Sequence, residues 1–339
     1  LPMQRFQASQ PRAYGAVTGR ALMRNAPEDF RVDEMLGFAP TGDGEHLWVY
    51  IEKERLNTTD VALALAKLAG IRVRDVGYAG RKDRNARTRQ WFSIYLPGKP
   101  APDWRHLEVE KSGTARVMMS TRSQRKLQVG AHQANRFAIR LRDITSVGRT
   151  EIESRLCRVR DGGVPNYFGE QRFGRHQRNL QLAARWFEHG EEIRKRSMRG
   201  LVLSAARSWL FNQLLASRVQ DSSWDVCLVG EWPNRGVTAT APTGPLFGAG
   251  ASRTHGIPAA LERHVADAYP EWCAALSRVG LKLQRRRLVC RPRSLRWHYD
   301  AAARVLDLDF CLPAGEFATT VLCELFELKD ASQSALFDQ

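Results

Sequence analysis

A chain of 339 residues, 43% hydrophobic and 26% charged, can bury a core large enough for two domains, which excludes global disorder. Its formal charge of +16 favours a polyanionic partner, either nucleic acid or an acidic membrane surface. No apolar run approaches the ~20 residues of a transmembrane helix. The opening "LPMQRFQASQPRAYG" lacks the apolar stretch of a signal peptide, so a cytoplasmic protein is expected. The chain begins at Leu1 rather than Met, and this end is treated as open. Six cysteines are widely scattered, with no CxxC and no histidine at metal-ligand spacing, so buried free thiols are expected.

In chain order, "HLWVYIEK" (46–53) has the aromatic and β-branched texture of a strand. "TTDVALALAKLAG" reads as a helix with Thr58 or Thr59 as N-cap, an apolar stripe of Val61, Ala62, Leu65, Leu68 and Ala69, and a stop at Gly70. "GYAGRKDRNARTRQWFSI" (77–94) follows, a glycine-preceded loop running into the strand "RQWFSIYL" (89–96). "NRFAIRLR" (135–142) alternates Phe137, Ile139 and Leu141 with Arg136, Arg140 and Arg142, a strand with one face in a core and the other lined by guanidinium groups. The texture changes at Asp161-Gly162-Gly163, a hinge. Helices are then expected over "NLQLAARWFEHG" and "LVLSAARSWLFNQLLASRV" (201–219). A Gly/Pro/Thr-rich segment, 231–256, interrupts them. Strands return in "SLRWHY" and "RVLDLDF", and a Pro-Ala-Gly turn leads into a last helix. Strand-rich ends around a helical middle suggest one domain interrupted by another.

The positive charge is clustered. Residues 111–142 hold eight Lys or Arg and no acid, and residues 281–299 hold Lys282 and six arginines, again without an acid. Arg81, Lys82, Arg84, Arg87 and Arg89 surround a single carboxylate, Asp83. Gly77 and Gly80 permit close backbone approach, Trp91 and Phe92 supply an aromatic wall, and a carboxylate among cations is favoured in its charged form. Such a site suits an anionic nucleophile or base beside a phosphate backbone. "FGAGAS" (247–252) lacks the GK[ST] of a phosphate loop, and no HExxH, DxDxDG or GxSxG occurs. His176, beside Arg175, fits an RNA or surface contact better than a base.

These residues carry a resemblance. "VGYAGRKDRNARTRQWFSI" resembles the signature of the TruD family of tRNA pseudouridine synthases, Gly-Tyr-Ala-Gly-x-Lys-Asp-Arg followed by Thr-x-Gln. Four further segments are similar to family motifs in the same order: "PEDFRVDE" (27–34), "ANRFAIRLR" (134–142), "VPNYFGEQRFG" (164–174) and "LPAGEFATTVL" (312–322). Arg81 departs from the pattern, at a position more often neutral; how tightly RNA is held, rather than catalysis, is what it touches.

The resemblance implies an α+β fold: a pseudouridine synthase core with a mixed, mainly antiparallel sheet and flanking helices, plus an inserted α/β domain particular to the family. The core would take residues 1–161 and 292–339, the insertion 162–291, with a cleft for RNA between them. Asp83 would be catalytic, and Phe30, Lys82, Asn135, Phe137 and Phe317 would bind the target uridine. The arginine-rich segments supply candidates for the RNA backbone: Arg84, Arg136, Arg172, Arg175, Arg285, Arg286 and Arg287. The implied reaction is isomerisation of uridine, at position 13 of tRNA, through a flipped base. It calls for no cofactor and no metal, and the protein is expected to act on tRNA as a monomer, away from membranes. Attack by Asp83 on C1′ or on C6, or proton abstraction from C2′, all remain open. Two rivals stand beside this reading. A noncatalytic RNA-binding protein or RNA chaperone explains the basic segments but not the Gly-x-Lys-Asp loop. A phosphate-handling or nuclease-type enzyme would need clustered acids for metal ions, which the arginine-rich segments oppose.

Overall fold

The computed structural model describes residues 6, 10–109, 112–232 and 241–334. Lys111 and residues 233–240 of the Gly/Pro/Thr-rich segment lie outside them. The first elements are β1 (Arg20–Met23), β2 (Phe30–Met35), β3 (His46–Glu54), α1 (Thr58–Ala69), β4 (Val76–Tyr78), β5 (Arg87–Tyr95), β6 (Thr114–Ser123), β7 (Ala134–Thr145) and α2 (Arg149–Gly162). There follow β8 (Val164–Pro165), α3 (Arg178–His189), α4 (Arg196–Gln220), β9 (Thr243–Leu246), α5 (Gly256–Ala268), α6 (Pro270–Arg278), β10 (Gln284–Arg287) and β11 (Val289–Cys290). The chain closes with β12 (Arg293–Asp300), β13 (Val305–Pro313), α7 (Ala318–Cys323), β14 (Glu327–Asp330) and α8 (Ala331–Ser334).

Two compact units result. The sheet unit comprises Thr18–Glu153, Pro292–Glu316 and Phe326–Gln339; the helical unit comprises Leu1–Val17, Ser154–Arg291 and Phe317–Leu325. The motifs place the insertion at 162–291, whereas the compact helical unit also takes in residues 1–17, 154–161 and 317–325. The Gly162-Gly163 pair is no free hinge. α2 runs through Gly162, and Gly163 has φ +84° with space for a Cβ closed by the Cys290 carbonyl oxygen at 2.6 Å.

Among the described residues, ten strands of the sheet unit form one sheet, ordered β12-β13-β7-β2-β5-β3-β6, with β1 and β14 branching from β7 and β4 from β5. Only β2–β5 and β1–β14 pair in parallel, so the sheet is mixed and mainly antiparallel. The alternation in β7 is realised: Phe137, Ile139 and Leu141 are buried, while Arg136 and Arg140 are exposed. α1 lays Val61, Ala62, Leu65 and Ala66 onto Val49, Ile51, Phe92 and Ile94. It stops at Gly70 in the left-handed region, but Thr58 and Thr59 are its first helical residues, not its cap. Asn57 holds the cap position, and its backbone N–H donates to the Asp60 carboxylate at 3.0 Å.

In the helical unit, α3, α4 and α6 close around Trp209, Leu210, Phe211 and Trp272. Two short ribbons, β9–β10 and β8–β11, complete it. Of the six cysteines only Cys290 is buried; Cys227 and Cys323 are exposed. No helix among the described residues is long and apolar enough to cross a membrane.

Candidate active site

Asp83 sits in the connection between β4 and β5, which pair antiparallel from Tyr78↔Phe92 downward. The loop is therefore carried by two paired strands. A Cβ on Gly77 would lie 2.4 Å from the Leu127 carbonyl oxygen, so only glycine lets β4 pass that backbone. Two side chains hold the Gly80–Lys82 stretch. Gln90 donates to the Gly80 carbonyl at 3.0 Å, and Thr58 Oγ1, which donates to Gln90 Oε1, accepts from the Lys82 N–H at 2.9 Å. Thr58, the first residue of α1, is thus engaged in fixing the loop.

The Asp83 side chain is 21% exposed and engaged through both oxygens. Oδ1 accepts from the Asn85 N–H at 3.0 Å, and Oδ2 from Arg24 Nη2 at 2.8 Å. Arg24 is buried, has φ +55°, reaches Asp330 through Nη1 at 2.7 Å, and lays its guanidinium 4.3 Å from the centre of the Phe30 ring. The partner of the lone acid is therefore an arginine from the end of β1, outside the basic cluster. The Asp83 peptide carbonyl accepts from Lys53 Nζ at 2.8 Å.

Phe30 meets Phe137 edge-on at 6.2 Å, and Phe137 stacks on Phe310 at 5.6 Å. Asn135 lies on the same strand face as Phe137, opposite Glu34 in the β2–β7 register. Glu34 forms a buried pair with Lys82, Nζ to Oε2 at 2.8 Å, and its other oxygen accepts from the Trp91 N–H. Asn135 Nδ2 is 3.4 Å from His132 Nε2, and Asn135 Oδ1 is buried without a hydrogen-bond partner. Burial, reinforced by the Lys82 charge, pushes the His132 imidazole below its ordinary range. Asp83, Lys82, Phe30, Asn135 and Phe137 are thus gathered in the sheet unit. Phe317 belongs to the helical unit, where its ring lies 6.1 Å from that of Phe168.

Several expectations are corrected. Trp91 and Phe92 make no common wall, because successive strand residues face opposite ways. Phe92 is in the core, and Trp91 packs with Trp48 and Tyr50. The cations around Asp83 are largely occupied: Lys82 by Glu34, Arg87 by Glu28 and Glu54, Arg89 by Glu52. Arg81 and Arg84 are exposed, with Arg84 donating to the Arg55 carbonyl. The guanidinium face of β7 is neutralised by carboxylates: Arg136 pairs with Asp309, Arg140 with Asp307 and Arg142 with Asp29. Arg172 is half-buried over Phe168 and Phe317 and donates to Ser204. Arg285, its side chain 3% exposed, is locked to Glu262 and Thr243. Arg286 stacks 4.1 Å over Phe168 and donates to Asn166. Of the backbone candidates, Arg84, Arg136, Arg175 and Arg287 are exposed, but Arg136 is paired with Asp309, which leaves Arg84, Arg175 and Arg287 as the better placed for a phosphate contact.

The family model for tRNA pseudouridine synthase D (TruD) matches residues 15–191, more than half the chain. The chain belongs to the TruD family. The TruD protein of Pseudomonas entomophila is 42% identical over 98% of both chains, and that of Cellvibrio japonicus 44% identical over 96% of this chain and 95% of its own. A TruD crystal structure from Methanosarcina mazei shares the fold, with a TM-score of 0.68 at 19% identity over 93% of this chain and 95% of that one.

Arg24, Lys53, Thr58 and Gln90 surround the TruD loop without having been legible as site residues, with one exception in principle. In "HLWVYIEK", Lys53 is in phase with the core residues Leu47, Val49 and Ile51. A lysine on the buried face of a strand is a signal that period alone provides.

Proposed function

We propose that Asp83 carries the isomerisation of uridine 13 in the D-arm of tRNA, with the base received among Phe30, Lys82, Asn135 and Phe137 of the sheet unit. The chain is a tRNA pseudouridine synthase by family; the position modified and the residues responsible are what this proposal adds. The observation that supports it most is the engagement of Asp83 by Arg24 and by the Asn85 N–H, beside an aromatic cluster of Phe30, Phe137 and Phe310.

The reaction breaks N1–C1′, turns the uracil and joins C5 to C1′. Composition is unchanged, so the reaction as written neither consumes nor produces another molecule. A carboxylate held at one place suits attack on C1′ or C6 and proton removal at C2′ alike. Extruding the base costs a few kcal/mol, roughly, and stacking on an aromatic side chain offsets about 1–3 kcal/mol of it. Asn135 Oδ1 is an acceptor of the kind that the uracil N3–H needs.

The division of labour follows the two units. The sheet unit, corresponding to most of residues 1–161 and 292–339, performs the chemistry. The helical unit, built on 162–291, contributes backbone contacts through exposed cations such as Arg175 and Arg287. A tRNA substrate places the work in the cytoplasm, and one copy of the site suffices, so a monomer is expected; light scattering checks the latter. Incubating pure protein with unmodified tRNA and mapping pseudouridine tests the function. Product at position 13 supports it, product elsewhere moves the target, and binding without product favours the RNA chaperone.

A further inference from the structure

The side chain of Lys53 is fully enclosed, at 0% exposure, and the chemistry of isomerisation gives it no task. Burying an ammonium group is costly unless it is well bonded, and a methionine would fill the same space without that cost. Its two hydrogen bonds go to peptide carbonyls, Leu56 at 2.7 Å and Asp83 at 2.8 Å. The first lies in the turn before α1, the second in the loop that presents the candidate acid. The charged groups facing it are the Asp83 carboxylate and Lys82 from that loop, and Asp60 from the first turn of α1.

We propose that Lys53 is a positioning residue for Asp83, fastening the backbone of the β4–β5 loop to the α1 turn so that the carboxylate stands at one fixed place beside Arg24. The inference rests on the reading of Asp83 as the reacting group. Three bonds then fix Asp83 from three directions: Arg24 on Oδ2, the Asn85 N–H on Oδ1, and Lys53 on the peptide oxygen. A side-chain tether alone lets the carboxylate swing with its backbone. Misplacement of a reacting group by about 1 Å costs on the order of a hundredfold in rate. Burial pushes the Lys53 amine down to about 8, against the pull of the Asp83 charge, so alkaline pH turns a charge-assisted tether into a neutral and weaker one.

The test compares wild type, Lys53→Met and Lys53→Gln by single-turnover rate at saturating enzyme, tRNA affinity and melting midpoint. The expected result is a rate about ten- to hundredfold lower, with affinity within about twofold, in protein that is fully folded. The wild-type rate should decline as pH rises through about 8, and the variants should show no such decline. Asp83→Asn is run alongside. If it is active, the reading of Asp83 fails, whatever Lys53 does. If it is inactive, a folded Lys53 variant within about threefold of the wild-type rate overturns the positioning role. Should neither variant fold, a wild-type rate indifferent to pH between about 7 and 9 overturns it instead.

Discussion

Arg24 and Asp83 are 59 residues apart in the chain, yet Nη2 of one lies 2.8 Å from Oδ2 of the other. The same guanidinium neutralises Asp330, so one buried cation serves two carboxylates. Arg24→Met should therefore act twice. Leaving both acids without their partner should cost about 3 kcal/mol of stability, at the lower end for a broken buried pair because Asp83 is partly solvated. Among molecules still folded, the turnover rate should fall about a hundredfold, because the carboxylate loses its orientation. Calorimetry and single-turnover assays on one preparation check both.

Asp83→Asn should abolish isomerisation while leaving tRNA affinity unchanged. The amide keeps an acceptor for the Asn85 N–H, and Arg24 keeps Asp330, so the loop retains its shape. Turnover within about tenfold of wild type would remove Asp83 from the reaction.

For Phe137 the two plausible roles separate by substitution. Phe137→Ala opens a cavity against Phe30 and Phe310 and should cost about 3–5 kcal/mol in stability. Phe137→Leu should stay within about 1.5 kcal/mol of wild type yet lose a stacking surface. A fall of about five- to 150-fold in single-turnover rate at unchanged affinity would mark base stacking. A leucine variant with wild-type rate marks a core residue only.

The arginines 285–287 should not behave as a block. Arg287→Gln should make the log–log salt dependence of tRNA binding shallower by about one unit, as loss of one phosphate contact does. Arg285→Gln should instead lower stability by about 3–5 kcal/mol, since Glu262 is buried against it. Salt titrations and melting curves of the two single variants distinguish these outcomes.

Much of this was written in local pattern. The period of two in "NRFAIRLR" identified β7 and its buried face, and the stripe from Val61 to Leu65 with Gly70 identified α1. What pattern cannot carry is the partner. Periodicity says that Arg136 and Arg140 leave the core; it does not say that β13 arrives beside them with Asp309 and Asp307. The same holds at the site. Asp83 was conspicuous for its neighbours in sequence, whereas Arg24, just after β1, and Lys53, in β3, engage it from distant parts of the chain. Sequence clusters of charge are shaped by what lies alongside in space, and those contacts are long-range.

The carboxylates of β13 have a consequence for discrimination. A protein with a formal charge of +16 risks sticking to every RNA it meets, because phosphate attraction is indifferent to sequence. Asp307 and Asp309 withdraw two guanidinium groups from that indiscriminate pull. They act as restraint rather than support. Asp307→Asn and Asp309→Asn would cost little stability, since both pairs are at the surface, yet they would return Arg140 and Arg136 to the pool of anion-seeking charge. The enzyme would then linger on RNAs it cannot modify, and selectivity would be lost through a gain in affinity.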